Sequence, residues 1–188
     1  MENHDGAAAL RAETLWIESR GGNDWIARYI RPFYMNWMGE NPTFRDEAIA
    51  QIAELRSHAF ELELSDVETM LGMQWRVQVV GAWYAIARAD SRLSEAVHSG
   101  LAHCYGSLTA PALATAALIY PNDTTVAVLR AYQDRDTANH YGADGLISAA
   151  LRALDPEPTP DPRTDDDDTM SRLLEIAEAL QQPKTMPI

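Results

Sequence analysis

The chain has 188 residues, 46% of them hydrophobic, and its 28 acidic against 15 basic side chains give a formal net charge of −13. Length and composition suit one ordinary domain with its own core, while the charge opposes phosphate backbones and anionic membranes and favours a basic partner. No stretch approaches the roughly 20 uninterrupted apolar residues of a membrane-crossing helix, and the opening MENHDGAAALRAE lacks the basic-then-apolar pattern of a leader, so a cytoplasmic location is expected.

From the N-terminus, Ala7 to Ser19 is a weak helix stopped by Gly21-Gly22, and Asn23 or Asp24 caps the next one. That segment, WIARYIRPFYMNWM, carries Trp25, Tyr29, Phe33 and Trp37 at four-residue spacing, an aromatic stripe that reads as core, and Pro32 must kink or split it. Thr43 is expected to open a helix through Phe60, with Phe44, Ile52, Leu55 and Ala59 inward and Arg45, Asp46, Glu54 and Arg56 mostly solvated. Ser65-Asp66-Val67-Glu68 has capping-box spacing. After Gly72, MQWRVQVVGAWYAIARAD is apolar nearly all round, with Trp75, Val79, Trp83 and Ile86 on one face, and so belongs between neighbouring helices.

Leu93, Val97 and Leu101 carry another helix, Thr109 and Pro111 open the next, and Pro121-Asn122-Asp123 is a turn. Val126, Leu129 and Tyr132 form a short helix, followed by a loop from Tyr132 to Gly142, and Leu146, Ala150 and Leu154 form the last helix of this run. Helical patterns joined by brief Gly, Pro and Asn/Asp punctuation describe an all-α fold of stacked antiparallel helical hairpins. The composition then changes: Asp155 to Asp168, DPEPTPDPRTDDDD, holds four prolines and seven acids and reads as a stiff, extended linker. MSRLLEIAEALQQ beyond it is amphipathic and either docks back on the repeats or folds on a partner. The expected organisation is an N-terminal helical extension (1–22), a helical domain (23–155), an acidic Pro/Asp linker (156–168), and a C-terminal helix and tail (169–188).

Catalytic signatures are scarce. The phosphate-cradling G-x-x-x-x-G-K-[ST] and G-x-G-x-x-G patterns are missing, as are G-x-S-x-G and H-E-x-x-H. His98 and His103, beside Cys104, are five residues apart and so point roughly 140° away from each other on a helix; neither a metal nor a cofactor is expected. Cys104, the single cysteine, precludes an internal disulfide and reads as a small core residue. The pairs Glu61/Glu63 and Asp134/Asp136 have acid/base chemistry in principle, but loop-edge acids are numerous in so acidic a chain. Fourteen of the basic residues are arginine and one, Lys184, is lysine, a ratio that serves bidentate carboxylate contacts or simply follows codon usage.

RYIRPFYM, LSDVETML leading into WRVQVVGAWYAIA, CYGSLTAPALATAALIY, and VLRAYQDR with YGADGLISAALRALD resemble, in order and spacing, an uncharacterised bacterial family catalogued only as domain of unknown function number six thousand. The resemblance covers about residues 25 to 155 and is most specific at Pro32-Phe33-Tyr34, Trp75-Arg76, Gly81-Ala82-Trp83 and Cys104-Tyr105. It implies an all-helical, HEAT-like repeat array and brings no activity or catalytic set. After Cys104-Tyr105 this chain has GSLTAP where the family tends to a Gly-rich, aromatic run.

Trp75 and Trp83 are expected to be structural, with Arg76, about 100° further round the helix than Trp75, holding a partly buried carboxylate; an anion-binding arginine is the alternative. The favoured function is a non-catalytic immunity protein that binds and neutralises a basic toxin of a bacterial polymorphic or secretion system. An acidic surface both steers to a positive groove and rejects nucleic acid. A HEAT-like adaptor or scaffold is the second reading and an enzyme of unrecognised type the third. Expected partner-binding residues are Asp134, Asp136, His140, Tyr141 and Asp144 around the loop, and Asp165, Asp166, Asp167 and Asp168 on the linker.

Overall fold

The computed structural model describes residues 3–154 and 164–182, and all of the regular structure within them is helical. The expected extended linker therefore lies mostly outside the described residues, as do the tail and Lys184. Helix α1 (Asn3–Ser19) ends at Gly21 and Gly22, both at positive φ, and α2 (Asn23–Tyr29) follows. Because Pro32 has no N–H to donate, the aromatic segment breaks into α2 and the short α3 (Tyr34–Trp37). The break releases the Tyr29 carbonyl, which accepts the buried Tyr84 hydroxyl at 2.6 Å, and Trp83 Nε1 donates to the Trp37 carbonyl at 2.8 Å. Trp25, Phe33 and Trp37 stay in the core despite the interruption.

The single helix expected over residues 43–60 is three: α4 (Asn41–Phe44), α5 (Asp46–Ala50) and α6 (Ile52–Glu61). Gln51 sits at the second break, and its amide reaches the Pro32 carbonyl and the Trp37 indole, contacts across to the preceding elements that a straight helix would not reach. Leu55 and Ala59 face inward as expected, whereas Phe44 is 65% exposed.

Three antiparallel hairpins then stack in two layers: α7 (Leu64–Leu71) with α8 (Trp75–Arg88), α9 (Ser94–His103) with α10 (Ala110–Ile119), and α11 (Thr125–Asn139) with α12 (Asp144–Leu154). Helices α7, α9 and α11 touch in sequence along one layer, and α8, α10 and α12 along the other. Every residue of α8 from Val77 to Ala87 is buried, as its all-round apolar pattern requires. Helix α13 (Asp165–Gln181) docks back on the α8, α10 and α12 layer, burying Met170, Leu173, Ala177 and Leu180.

Two helix starts differ from expectation. The N-cap of α7 is Glu63, which leaves Ser65 inside the helix, and the supposed capping-box residue Asp66 is buried against Arg20, whose Nε donates to it at 2.9 Å. The Asp run is no linker: all four acids form the first turn of α13, where negative charge suits the helix dipole. Thr164 and Asp167 make the capping box, with Thr164 N–H donating to Asp167 Oδ2 at 2.7 Å, and Arg152 of α12 pairs with Asp167 at 2.7 Å. Desolvation pushes the Asp167 carboxyl up, but the Thr164 backbone, the Thr164 hydroxyl and Arg152 outweigh it and hold the group below the usual carboxylate value. A depressed folded-state value contributes stability above the unfolded carboxylate range and loses it as pH falls through the folded value. Asp167→Asn should thus cost about 1 kcal/mol at neutral pH, and the gap to wild type should close on acidification; denaturant melts across pH would test it, and a pH-independent gap would refute the assignment.

Candidate functional site

The acids picked out by sequence are distributed by three helix ends. Helix α11 runs to Asn139, so most of the expected Tyr132–Gly142 loop is helical and only His140 to Ala143 connect it to α12. His140 closes α11 in the left-handed region (φ 55°) and Gly142 follows at φ 87°. Asp134 is exposed on α11, His140 is exposed, Tyr141 is half-buried, and Asp144 is exposed as the first residue of α12.

Asp136 is a correction. It is 1% exposed, its Oδ2 accepts the Ala143 N–H at 2.8 Å, and it anchors the chain entering α12 instead of facing a partner. Its Oδ1 and the Tyr132 hydroxyl, one turn earlier on the same helix, are buried without a hydrogen-bond partner among the described residues. Asp134, two residues away on the helix, faces solvent, so the two carboxylates do not form a dyad. Asp167 is likewise committed to its capping box and to Arg152.

The acids at the starts of α12 and α13 are brought together. The Asp166 carboxylate fills the space where a side chain on Gly145 would stand, in front of the first turn of α12 and next to Asp144 in the chain. The start of α13, with Asp165 and Asp168 exposed on it, therefore lies against the start of α12. Sequence reading placed these acids on separate units; the fold makes them one acidic corner.

Trp83 is wholly buried, edge-on to Trp37 with ring centroids 5.0 Å apart, and is structural as expected. Trp75 is half-buried and edge-on to Tyr34. Arg76 overturns the ion-pair expectation: it is exposed, has no carboxylate partner among the described residues, and lies over the Trp75 and Tyr34 rings at 4.3 and 5.5 Å. Ion pairs between elements are instead made by Arg20 with Asp66, Arg28 with Glu61 and Arg152 with Asp167. Sequence reading missed all three.

Cys104 is buried, and burial pushes its thiol up to about 12, with Arg135 opposing and Asp136 reinforcing the shift, so it stays protonated at neutral pH. His98 is buried between the Ser94 carbonyl and the Thr125 hydroxyl, at 2.6 and 2.7 Å, while His103 is exposed and bonded to the Ser99 carbonyl. Glu61 is held by Arg28 at 2.7 Å. Among the described residues no helix is long and apolar enough to cross a membrane. No protein-family model matches the chain, and no curated protein or solved structure matches it significantly.

Proposed function

We propose that this chain is a non-catalytic binding protein that neutralises a basic protein, in the manner of an immunity protein acting in the cytoplasm against a bacterial polymorphic or secretion-system toxin. The observation that carries the reading is the acidic corner, where Asp144 at the start of α12 meets Asp165, Asp166 and Asp168 at the start of α13 on a chain of net charge −13. Such a field speeds encounter with a positive surface and repels nucleic acid. Tyr141 and His140 at the adjoining turn supply an aromatic anchor and polar contacts of the kind that interfaces use. The protonated thiol of Cys104 and the buried, hydrogen-bonded His98 support a role without a nucleophile.

A HEAT-like adaptor is the second reading, favoured by the two-layer hairpin stack, in which α13 covers the α8, α10 and α12 layer and not the α7, α9 and α11 layer. Inhibition of the partner's activity separates the two: an immunity protein abolishes it, and an adaptor does not.

The test is capture of the partner with full-length tagged protein, followed by association kinetics. Asp144→Lys with Asp165→Lys should slow association about tenfold or more at low ionic strength, with the difference shrinking as salt screens it. Rates that match wild type at both salt concentrations would assign the acidity to other ends and remove the support for this function.

A further inference from the structure

Beside the acidic corner lies a groove that the proposed function leaves unused. It encloses about 660 Å³ between α1 and the turn joining α7 to α8, with Glu13 and Trp16 on one wall, Met73 and Trp75 on the other and Tyr105 at the mouth. A second hollow of about 440 Å³ shares Met73 and His103 with it and continues between α7 and α9, past Glu68 and Glu95. At the other end Tyr105 stands edge-on to Tyr141, ring centroids 6.3 Å apart, so the groove opens next to the turn that leads to Asp144.

Its chemistry selects an occupant. Tyr105 is 71% exposed and Trp16 and Trp75 are half-buried, an uncovered aromatic surface of the residue types that dominate binding energy at interfaces. Among the described residues the carboxylates Glu13, Glu68 and Glu95 and the His103 imidazole line the two hollows, and no lysine or arginine does. Glu13 Oε2 accepts the Gln74 N–H at 2.8 Å, which fixes that carboxylate at the start of α8 beside Trp75. The rings already hold guanidinium groups: Arg76 lies 4.3 Å from the Trp75 ring and Arg20 5.4 Å from that of Trp16. A planar guanidinium stacks on indole and takes a carboxylate through its edge, which an ammonium does less well. An extended chain carrying arginine satisfies the rings and the carboxylates together.

We propose that this groove receives an arginine-bearing segment of the basic partner, with guanidinium groups stacked on Trp75 and Trp16 and paired with Glu13, Glu68 and Glu95. The proposal rests on the partner reading above and adds where on the surface the partner's chain lies.

A short oligo-arginine peptide, and the same peptide with citrulline at each position, would be titrated into the full-length protein at physiological ionic strength while tryptophan emission is followed. Citrulline keeps the shape and loses the charge. The arginine peptide should saturate with a change in emission and the citrulline peptide should not. Two variants of equal charge locate the site: Glu13→Gln/Glu68→Gln/Glu95→Gln should weaken binding about tenfold, and Asp144→Asn/Asp165→Asn/Asp166→Asn about threefold or less. Glutamine at position 13 keeps an oxygen for the Gln74 N–H, so that fold contact survives. Arg76→Gln should tighten binding, because it removes a like charge and uncovers Trp75. Equal losses in the two triple variants, binding of the citrulline peptide, or no binding by wild type would overturn the groove assignment. Failure here with association of the whole partner still slowed by charge reversal at Asp144 and Asp165 would leave the acidic corner as the docking surface, whereas the reverse result would sink the corner and keep the groove.

Discussion

Removal of residues 164–188 should leave a chain that does not fold cooperatively. Helix α13 places Met170, Leu173 and Leu180 at 0–1% exposure, with Ala177 between them, on a layer whose α10 is buried from Ala110 to Ala117. Full burial of each large apolar side chain is worth about 1.5–3 kcal/mol, so the three together supply roughly 5–9 kcal/mol, comparable with the whole stability of an ordinary domain at about 5–15 kcal/mol. A truncation meant to strip the acidic run of its charge would therefore destroy the core. The graded version is Leu173→Ala, expected to cost about 3 kcal/mol and to lower the thermal midpoint by roughly 6–12 °C for a chain of this size. Exposed Glu175→Ala on the same helix should change stability by about 0.5 kcal/mol or less. A truncated protein that melts with the wild-type midpoint would show α13 to be an appendage.

What could be read in advance was mostly periodicity. The aromatic stripe Trp25, Phe33 and Trp37, the break at Pro32 and the burial of α8 all follow from local spacing and from proline's missing donor. Pairings distant in sequence did not show. Asp66 looked like a cap residue because Ser65 and Glu68 flank it, yet its partner is Arg20, 46 residues away. Asp136 looked like one more surface acid, and only the return of the chain at Ala143 gives its carboxylate a backbone donor and a reason to be buried. The Asp run illustrates a signal that was present and outweighed: Thr164 followed by Asp167 has capping-box spacing, but four consecutive acids after a proline-rich stretch read as charge. The acidic corner depends on α13 folding back, which composition alone does not convey.

Adding one methyl group at Gly81 or Gly100 should destabilise the protein, against the usual sign for glycine in a helix. Ala is favoured over Gly in a helix interior by about 1 kcal/mol, so space alone decides the outcome. At Gly81 a Cβ would lie 2.8 Å from the Cβ and 3.2 Å from the carbonyl carbon of Met70, and at Gly100 it would lie 2.8 Å from the Leu71 carbonyl oxygen. Both obstacles belong to α7, chiefly its backbone, and cannot rotate away as a side-chain tip would. These two glycines let α7 lie tight against α8 on one side and α9 on the other, which holds the first two hairpins in register. Overpacking of this kind costs about 1–3 kcal/mol, occasionally more, and must exceed the helix gain to show. Gly81→Ala and Gly100→Ala are each expected to lose about 2 kcal/mol net in urea melts. Gly72→Ala is the control: that residue is exposed, has negative φ, and its nearest neighbour to a new Cβ is the Thr69 carbonyl at an ordinary 3.7 Å. It should stay within about 0.5 kcal/mol of wild type. If Gly100→Ala melted at or above the wild-type midpoint, α7 and α9 would have room to separate, and the close stacking that carries α9 and its His103-Cys104-Tyr105 end to the groove would not be a fixed property of the fold.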